Sequence, residues 1–380
     1  MTEKTPLKEQ ALNPERITRI GDQLRSVQPG FDAEGFTRSV LADFPSLELK
    51  GRIARTSQAI HEYLPVTGPQ ALEIVLKSLP PTPEAAGIST DFGLHLYSPH
   101  SHYVAQYHRT RDQLPQALAA LRQLTGYFSA EDAVRYFLTD FPEETMRAVD
   151  AWAQDRDHRV RRLASESTRP KLPWSPRIPV PIEAGLPVLD RLYADPSRYV
   201  TRSVANHLHD IATDQPDLAL ATLQRWKTTK LASDTEFTFI ARQALRSRLK
   251  KGWPPAYELL GYSSDAPVEL SPLRLEATEL TDGETLAFTA HLTSNTTSPL
   301  NVTYVISSTT QRGTPREKVY FLTRTTAEAG RPLQLAKRHP LRSTATTKIT
   351  PGAYALQIQV NGRRFPKAPF EVVAAPGPAS

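Results

Sequence analysis

The chain has 380 residues, of which 39% are hydrophobic and 23% are charged, a balance typical of a globular protein with a buried core. It contains no cysteine, which excludes disulfides, thiolate metal sites and a cysteine nucleophile. We find neither a long apolar run nor an apolar N-terminal segment. We therefore expect no membrane span and no secretory signal, and a reducing cytoplasm as the compartment.

The net charge is +6, and the basic residues are clustered. Residues 155–177 contain seven Arg or Lys, and residues 242–251 contain five without any acidic residue. Such clusters meet phosphate backbones in nucleic-acid-binding proteins, although each could also be a solvated helix face.

Residues 1–264 have the pattern of helices, because apolar side chains recur at intervals of three and four, as in Leu218, Leu220, Leu223 and Trp226. The pattern also repeats. Asp155–Arg162 aligns with Asp195–Arg202 at an offset of 40 residues. Helix pairs that repeat near 40 residues are typical of HEAT repeats, so the sequence predicts an all-α superhelix with a concave face.

A polar stripe crosses three of the predicted helices. Because Arg162 aligns with Arg202 and Glu166 aligns with Asn206, the two pairs occupy the same helix face in adjacent repeats. An unpaired polar stripe is expensive to bury. It therefore lines a ligand-facing surface or forms an ion-pair ladder, and the sequence leaves both alternatives open. The stripe consists of Glu131, Arg162, Ser165, Glu166, Arg169, Arg202, Asn206 and Asp210.

Trp174 lies in an unusual connector between two predicted helices. Pro170, Pro173 and Pro176 restrict the backbone around it to an extended path. This arrangement favours a tryptophan that points outward or across the groove. The alternative is a tryptophan that fills the core.

Residues 265–380 have a different pattern. Apolar and polar residues alternate in 286–292, 302–306 and 354–360, and Asn361-Gly362 is a strong hairpin signal. We predict an antiparallel β-sandwich of immunoglobulin type as a second domain after residue 264, with a loose tail at 376–380.

Several motifs resemble one known family. The stretch RRLASESTRPKLPW at 161–174 is similar to the hallmark segment of AlkC-type 3-methyladenine DNA glycosylases, which belong to the HEAT-like DNA alkylation repair superfamily. Residues 29–34, 128–131 and 202–208 resemble further family segments, so the resemblance covers about 10–262. The β domain resembles one that a subset of the family appends. The sequence departs from the family pattern at Asp132, Ser167 and His209.

The resemblance implies an enzyme that excises cationic alkylated purines from duplex DNA, without flipping the base and without a metal or cofactor. It implies a monomer whose partner is double-stranded alkylated DNA. 3-Methyladenine is cationic, so its removal needs negative charge near the developing sugar cation and a positioned water. The catalytic candidates that the resemblance implies are Glu131, Glu166, Trp174 and Asp210.

Basic and amide side chains are the candidates for DNA contacts. Arg242, Arg246 and Lys250 are spaced by four residues and would share one helical face, while Lys337, Arg338 and Arg342 would form a basic loop in the β domain. The full set of predicted DNA contacts is Arg159, Arg162, Arg169, Arg202, Asn206, Arg242, Arg246, Lys250, Lys337 and Arg338.

Two other functions are compatible with this architecture. A noncatalytic paralogue would bind bent or branched DNA through the same basic surface, and a HEAT scaffold would bind protein partners. The retained carboxylates and Trp174 favour the enzyme over the first alternative, and the basic clusters argue against the second.

Overall fold

The structure is a computed structural model that describes residues 5–310, 313–344 and 348–374. The tail predicted at 376–380 lies outside the described residues. Helices occupy the chain as far as Leu259, and strands follow from Val268. Three short 3₁₀ helices, Phe44–Ser46, His95–Tyr97 and Ile182–Gly185, lie between the α-helices.

The α-helices in the described ranges are α1 Leu7–Ala11, α2 Pro14–Val27, α3 Ala33–Asp43, α4 Leu49–Tyr63, α5 Gly68–Lys77, α6 Ser98–Tyr107, α7 Leu114–Leu124, α8 Glu131–Asp140, α9 Pro142–Trp152, α10 His158–Ser167, α11 Leu186–Leu192, α12 Arg198–Asp214, α13 Pro216–Thr229, α14 Asp234–Ala244, α15 Arg246–Lys250 and α16 Pro254–Leu259.

The helices begin where the sequence supplies starting residues. Pro142 and Pro216 are the first residues of α9 and α13, where the missing N–H of proline costs no hydrogen bond. The Asp157 carboxylate accepts a hydrogen bond from the Arg159 N–H at 2.8 Å and so caps α10.

The helices pack in two layers. Helices α4, α6, α8, α10, α12 and α14 each contact the next in that series, while α5, α7, α9 and α11 form a parallel series behind them. Consecutive helices along the chain also contact each other across the layers. This arrangement is the repeat superhelix that the periodicity predicts, so the prediction of an α-solenoid is confirmed.

The 40-residue offset has a structural basis. Asp155 and Asp195 each accept a hydrogen bond at 2.9 Å from the backbone N–H two residues later. Each carboxylate also forms an ion pair with an arginine of the preceding helical pair, Arg122 for Asp155 and Arg161 for Asp195. The aligned aspartates therefore shape the turn before a helix and join neighbouring repeats.

The strands are β1 Val268–Leu270, β2 Arg274–Leu275, β3 Glu279–Leu280, β4 Thr285–Ser294, β5 Ser298–Thr309, β6 Pro315–Ala327, β7 Leu333–Pro340, β8 Gly352–Val360 and β9 Arg363–Val372.

These strands form two sheets. In one, β4 pairs with β1 and β2 along one edge and with β7 along the other. The second sheet has the order β3-β9-β8-β5-β6, and its pairs are antiparallel except β3 with β9. Apolar residues of both sheets, such as Phe288 and Ile358, form one buried core. The predicted β-sandwich of immunoglobulin type is therefore confirmed.

The predicted hairpin joins β8 to β9. Asn361 and Gly362 have φ values of +47° and +90°, and left-handed geometry at both positions is what a two-residue hairpin turn requires. The Asn361 side chain also accepts a hydrogen bond from the Asn301 N–H at 2.8 Å, which ties the turn to β5.

The contacts divide the chain into two compact units. One comprises Met1–Ala219 with Arg225–Ala244, and the other comprises Leu220–Gln224 with Leu245–Ser380. Within the second unit, the Gln359 side chain of β8 donates a hydrogen bond to the Tyr257 hydroxyl of α16 at 3.1 Å. The domain boundary predicted after residue 264 lies between α16 and β1 and stays a prediction.

No helix in the described part of the chain combines the length and the apolar character that a membrane crossing needs.

Two buried histidines predict a pH-dependent stability. His100 on α6 and His207 on α12 are fully buried, and the His207 ring donates a hydrogen bond to the Ser165 carbonyl oxygen at 3.0 Å. Burial lowers the pKa of both imidazoles from 6.5 to about 4. In the unfolded chain, these two histidines therefore bind protons below pH 6.5, whereas in the folded chain they bind protons only near pH 4.

We expect the free energy of unfolding to fall as the pH drops from 6.5 towards 4, with each histidine contributing up to about 1.4 kcal/mol per pH unit. Urea unfolding at several pH values measures this slope. In His100→Phe the slope should be smaller, because only His207 of this pair still titrates. An unchanged slope in that variant would remove His100 as a source.

Candidate active site

Three carboxylates and two arginines form a continuous row across α8, α10, the residues just after α10, and α12. Arg162 Nη1 lies 2.9 Å from Glu131 Oε2, and its Nη2 lies 3.6 Å from Glu166 Oε2. Arg169 Nη1 contacts Glu166 Oε1, and Arg169 donates through Nε and Nη2 to the two oxygens of Asp210 at 2.9 and 3.2 Å. We call these five residues the acid–arginine row.

The row is buried and carries a net charge. Its side chains are between 6% and 14% exposed, with Glu131 the most accessible. Buried charges are tolerated only when they are paired and hydrogen-bonded. The polar stripe is therefore an ion-pair ladder over these five residues. Because three carboxylates face two guanidinium groups, the row has a formal net charge of −1.

The pKa of Glu166 lies below its ordinary value. Burial alone would raise this pKa, but the guanidinium groups of Arg162 and Arg169 and the Ser203 hydroxyl together lower it. The pKa of Arg162 is raised in turn, because Glu131 and Glu166 outweigh the opposing effect of burial. Glu166 is therefore ionised at neutral pH, and Arg162 keeps its proton.

The three carboxylates differ in how many of their oxygens accept hydrogen bonds. In Glu166, Oε1 accepts from Arg169 and Oε2 accepts from the Ser203 hydroxyl at 2.5 Å. Both oxygens of Asp210 accept from Arg169, and Oδ2 also accepts from the Lys171 N–H at 3.3 Å. In Glu131, only Oε2 has a hydrogen-bond partner among the described residues. Glu131 is therefore the carboxylate with an oxygen available to bind a water or face a cation.

Ser129 orients Glu131 and was missed by the sequence reasoning. Its hydroxyl contacts both the Glu131 carboxylate and Arg162 Nη1. The backbone is held here by an isolated β-bridge between Gly93 and Phe128. Gly93 has a φ of +84°, and a Cβ at this position would lie 2.1 Å from the Tyr127 carbonyl oxygen. Only glycine allows the two backbone segments to come this close. The sequence does not show that residues 93 and 128 are in contact.

Tyr199 and Ser203 on α12 were also missed. The Arg162 guanidinium lies 5.1 Å from the centroid of the Tyr199 ring, and burial raises the pKa of the Tyr199 hydroxyl to about 12. Ser203 donates to Glu166. The sequence contains no signal for either residue, because each meets α10 only through helix packing.

Trp174 points away from the core. Its side chain is 88% exposed, and its φ of +67° places the backbone in the left-handed region. The outward orientation that the flanking prolines predict is confirmed, and the alternative of a tryptophan that fills the core is wrong.

The remaining predicted contacts in the helical unit have varied surroundings. Arg159 on α10 is largely buried, with Nη1 3.9 Å from an Asp157 oxygen. Arg202 on α12 is exposed. The Asn206 side chain accepts a hydrogen bond from Gln243 at 3.1 Å. Arg202 is therefore the most accessible of these three.

The prediction that Arg242, Arg246 and Lys250 share one helical face is wrong. Helix α14 ends at Ala244, and α15 begins only at Arg246. The fully buried Leu245 between them has a φ of −94° and a ψ of 11°, which interrupts the helix. Arg242 also belongs to the first compact unit, whereas Arg246 and Lys250 belong to the second.

The predicted basic loop in the β domain is also wrong in part. Lys337 and Arg338 lie within strand β7, where they pair with Phe288 and Ala287 of β4. Adjacent residues of a strand point to opposite faces, so these two side chains do not form one cluster. Arg338 forms an ion pair with Glu276 at 2.8 Å. Residues 333–340 form a strand because they pair with β4, and this long-range pairing cannot be read from the local sequence.

Comparison with known proteins matches both the β domain and the whole chain. Residues 269–374 match the family described as "Uncharacterised protein YhaZ, C-terminal Ig-like domain". The chain is 30% identical over 367 residues to "Uncharacterized protein YhaZ" of Bacillus subtilis, which covers 95% of this chain and 98% of the relative. The chain therefore belongs to the YhaZ family.

A solved structure shows the same architecture. It is described as Pseudomonas fluorescens alkylpurine DNA glycosylase AlkC bound to DNA containing an abasic site analog. The two chains are 34% identical and superpose with a TM-score of 0.87, over 97% of this chain and 99% of the other. The match to AlkC therefore includes both the helical repeats and the β domain.

Arg169 should be essential to the stability of the row. Replacing it in Arg169→Met leaves Glu166 and Asp210 buried beside one another without their shared partner. We expect the free energy of unfolding to fall by about 3–5 kcal/mol. The matched control is Arg202→Met, which removes an exposed arginine and should change stability by less than about 0.5 kcal/mol. Equal effects in urea unfolding would contradict the pairing described for the row.

Replacing Ser167 with alanine should stabilise the protein. It is fully buried, and its hydroxyl has no hydrogen-bond partner among the described residues. Ser167→Ala removes a desolvated hydroxyl at little cost in packing, so we expect a gain of about 1 kcal/mol in the free energy of unfolding. Ser175→Ala, which removes a bonded hydroxyl, should give no such gain. A loss of stability in Ser167→Ala would show that the hydroxyl is satisfied.

Proposed function

We propose that this protein is a DNA glycosylase that hydrolyses the N-glycosidic bond of cationic alkylated purines in duplex DNA, chiefly 3-methyladenine. The near full-length similarity to AlkC, an alkylpurine DNA glycosylase, supports the reaction class. The observation that carries the proposal is the acid–arginine row, with its net negative charge and the unbonded oxygen of Glu131.

The chemistry of the substrate fits this charge. Methylation at N3 makes adenine cationic, so the base leaves without first being protonated, and the sugar becomes an oxocarbenium-like cation in the transition state. A carboxylate about 4 Å from that cation stabilises it by about 4 kcal/mol at an effective dielectric constant of about 20. This corresponds to a rate increase of roughly a thousandfold. Because the carboxylates are already fixed, little reorganisation is needed during the reaction.

Different residues of the site would take different roles. Glu131 would bind the attacking water or face the sugar cation through Oε1, which has no hydrogen-bond partner in the described part of the chain. Glu166 and Asp210 would supply fixed negative charge. The exposed ring of Trp174 would stabilise the cationic base or sugar by cation–π attraction. Arg162 and Arg169 would hold the carboxylates rather than contact phosphates, because their donors are committed within the row.

The proposed partner is double-stranded alkylated DNA, bound by a monomer in the cytoplasm without a metal or cofactor and without flipping of the base. Phosphate contacts would come from exposed cations, which set affinity more than sequence preference. Those that we propose are Arg202, Lys250 and Lys337.

Release of a free base is the direct test. The protein is incubated with duplex DNA treated with a methylating agent, and released bases are identified by chromatography. We expect 3-methyladenine among the released bases. Binding of the DNA without release of any base would contradict the proposal and favour a noncatalytic DNA-binding protein.

Glu166→Gln tests the charge of the row. It keeps the size of the side chain, but it removes one negative charge and replaces one acceptor oxygen with an NH2 donor, so we expect the single-turnover rate to fall by roughly 100- to 1,000-fold. DNA affinity should change little. Asp150→Asn is the matched control, because Asp150 is a half-exposed carboxylate outside the row that pairs with Arg191. An unchanged rate in Glu166→Gln would remove Glu166 from the site.

A further inference from the structure

The segment between α10 and the 3₁₀ helix at 182–185 holds Trp174 in an unfavourable conformation. A φ of +67° is uncommon for a residue with a Cβ, and costs about 1 kcal/mol or more. Such a conformation persists only where the surrounding structure imposes it. The Trp174 ring is also 88% exposed, so packing of the ring does not supply the restraint. Other contacts must hold the backbone.

Arg135 on α8 holds both ends of this segment. Its Nη1 donates to the carbonyl oxygens of Ser167 and Arg169 at 3.0 and 2.7 Å, and its Nε donates to the carbonyl oxygen of Pro176 at 2.7 Å. The side chain is fully buried, and burial lowers the pKa of its guanidinium to about 10, so it remains charged at neutral pH. One buried cation therefore fixes the start and the end of the segment.

A second set of contacts holds the middle. Asp132, one helical turn before Arg135, accepts a hydrogen bond from the Ser175 hydroxyl at 2.5 Å. Lys50 Nζ on α4 lies 4.0 Å from Asp132 Oδ1 and donates to the Trp174 carbonyl oxygen. These contacts reach Trp174 and the residue after it.

The same segment is joined to the acid–arginine row. The carbonyl oxygen of Arg169 accepts a hydrogen bond from Arg135. Its guanidinium donates hydrogen bonds to Glu166 and Asp210. A fixed path of hydrogen bonds therefore leads from the carboxylates through Arg169 to the backbone that carries Trp174.

We propose that Arg135, Asp132 and Lys50 are positioning residues that clamp the segment 168–176 and present the Trp174 ring at a fixed place relative to the carboxylates. The inference rests on the proposed function only where its test measures the release of a base. The clamp itself is a statement about the conformation of this segment, which is measured without DNA.

Asp132 and Ser175 give the cleanest variants. Arg135 is fully buried, so replacing it would also disturb the fold. The Asp132 side chain is 43% exposed and that of Lys50 is 61% exposed, so loss of their contacts should barely change global stability. Asp132→Ala and Ser175→Ala each remove one partner of the same hydrogen bond, and Asp132→Asn keeps the acceptor oxygen.

Trypsin reports on the segment directly. The segment and its flank contain two cleavable bonds, after Lys171 and after Arg177, while the bond after Arg169 precedes a proline. We expect cleavage after Lys171 and Arg177, identified by mass spectrometry, to be about tenfold faster in Asp132→Ala and in Ser175→Ala. The double variant should be no faster than Asp132→Ala, because that substitution already removes the partner of the Ser175 hydroxyl. Asp132→Asn should recover most of the protection.

Activity tests whether the clamp positions Trp174. In Asp132→Ala and Ser175→Ala we expect the single-turnover release of 3-methyladenine to fall about tenfold, with little change in DNA affinity or melting temperature, and Asp132→Asn to restore most of the rate. Asp150→Ala, which removes a carboxylate of similar exposure, should change neither cleavage nor release.

Unchanged cleavage in Asp132→Ala and Ser175→Ala would overturn the clamp. Faster cleavage with an unchanged rate of base release would overturn its positioning role. If the unaltered protein releases no base, the proposed function fails, and the cleavage pattern alone then decides whether the clamp exists.

Discussion

Arg162 and Arg169 each bridge two carboxylates, and the organisation of the site follows from this pairing. Charges with so little exposure cannot remain unpaired, so α8, α10 and α12 must keep the spacing that brings the five side chains together. The pairing explains why Glu166 stays ionised although it is buried. It also explains why the net negative charge is fixed in place, which is the property that a reaction through a sugar cation requires.

The pairing extends beyond the side chains of the row. Arg169 is the last residue before the proline-rich connector, and its backbone carbonyl is held by Arg135. Arg169 therefore pairs with carboxylates through its side chain and binds Arg135 through its backbone. Arg135 also binds the Ser167 and Pro176 carbonyl oxygens, so the backbone is held on both sides of the exposed Trp174.

The two compact units depend on the sequence in different ways. In the helical unit, most contacts join elements that are close along the chain, and the aligned Asp155 and Asp195 repeat one local turn. In the β unit, strands distant in sequence pair with one another, as β4 does with β7. Local periodicity therefore predicts the repeats accurately. In the β unit it predicts the strands of strong alternation and misses β7, where Lys337 and Arg338 were expected in a loop.

The sequence by itself determined the helical repeats, the β-sandwich, the Asn361-Gly362 hairpin and the outward Trp174, because each depends on side-chain periodicity or on backbone preferences within a few residues. It also placed Glu131, Glu166 and Asp210 on neighbouring helices. Only the tertiary structure decided that Arg162 and Arg169 pair with those carboxylates, that Leu245 separates Arg242 from Arg246, and that Arg135 binds the Trp174 connector. The physical reason is that these outcomes depend on contacts between residues that are mostly 30 to 40 positions apart, or on a local break in a helix that a spacing of four does not reveal.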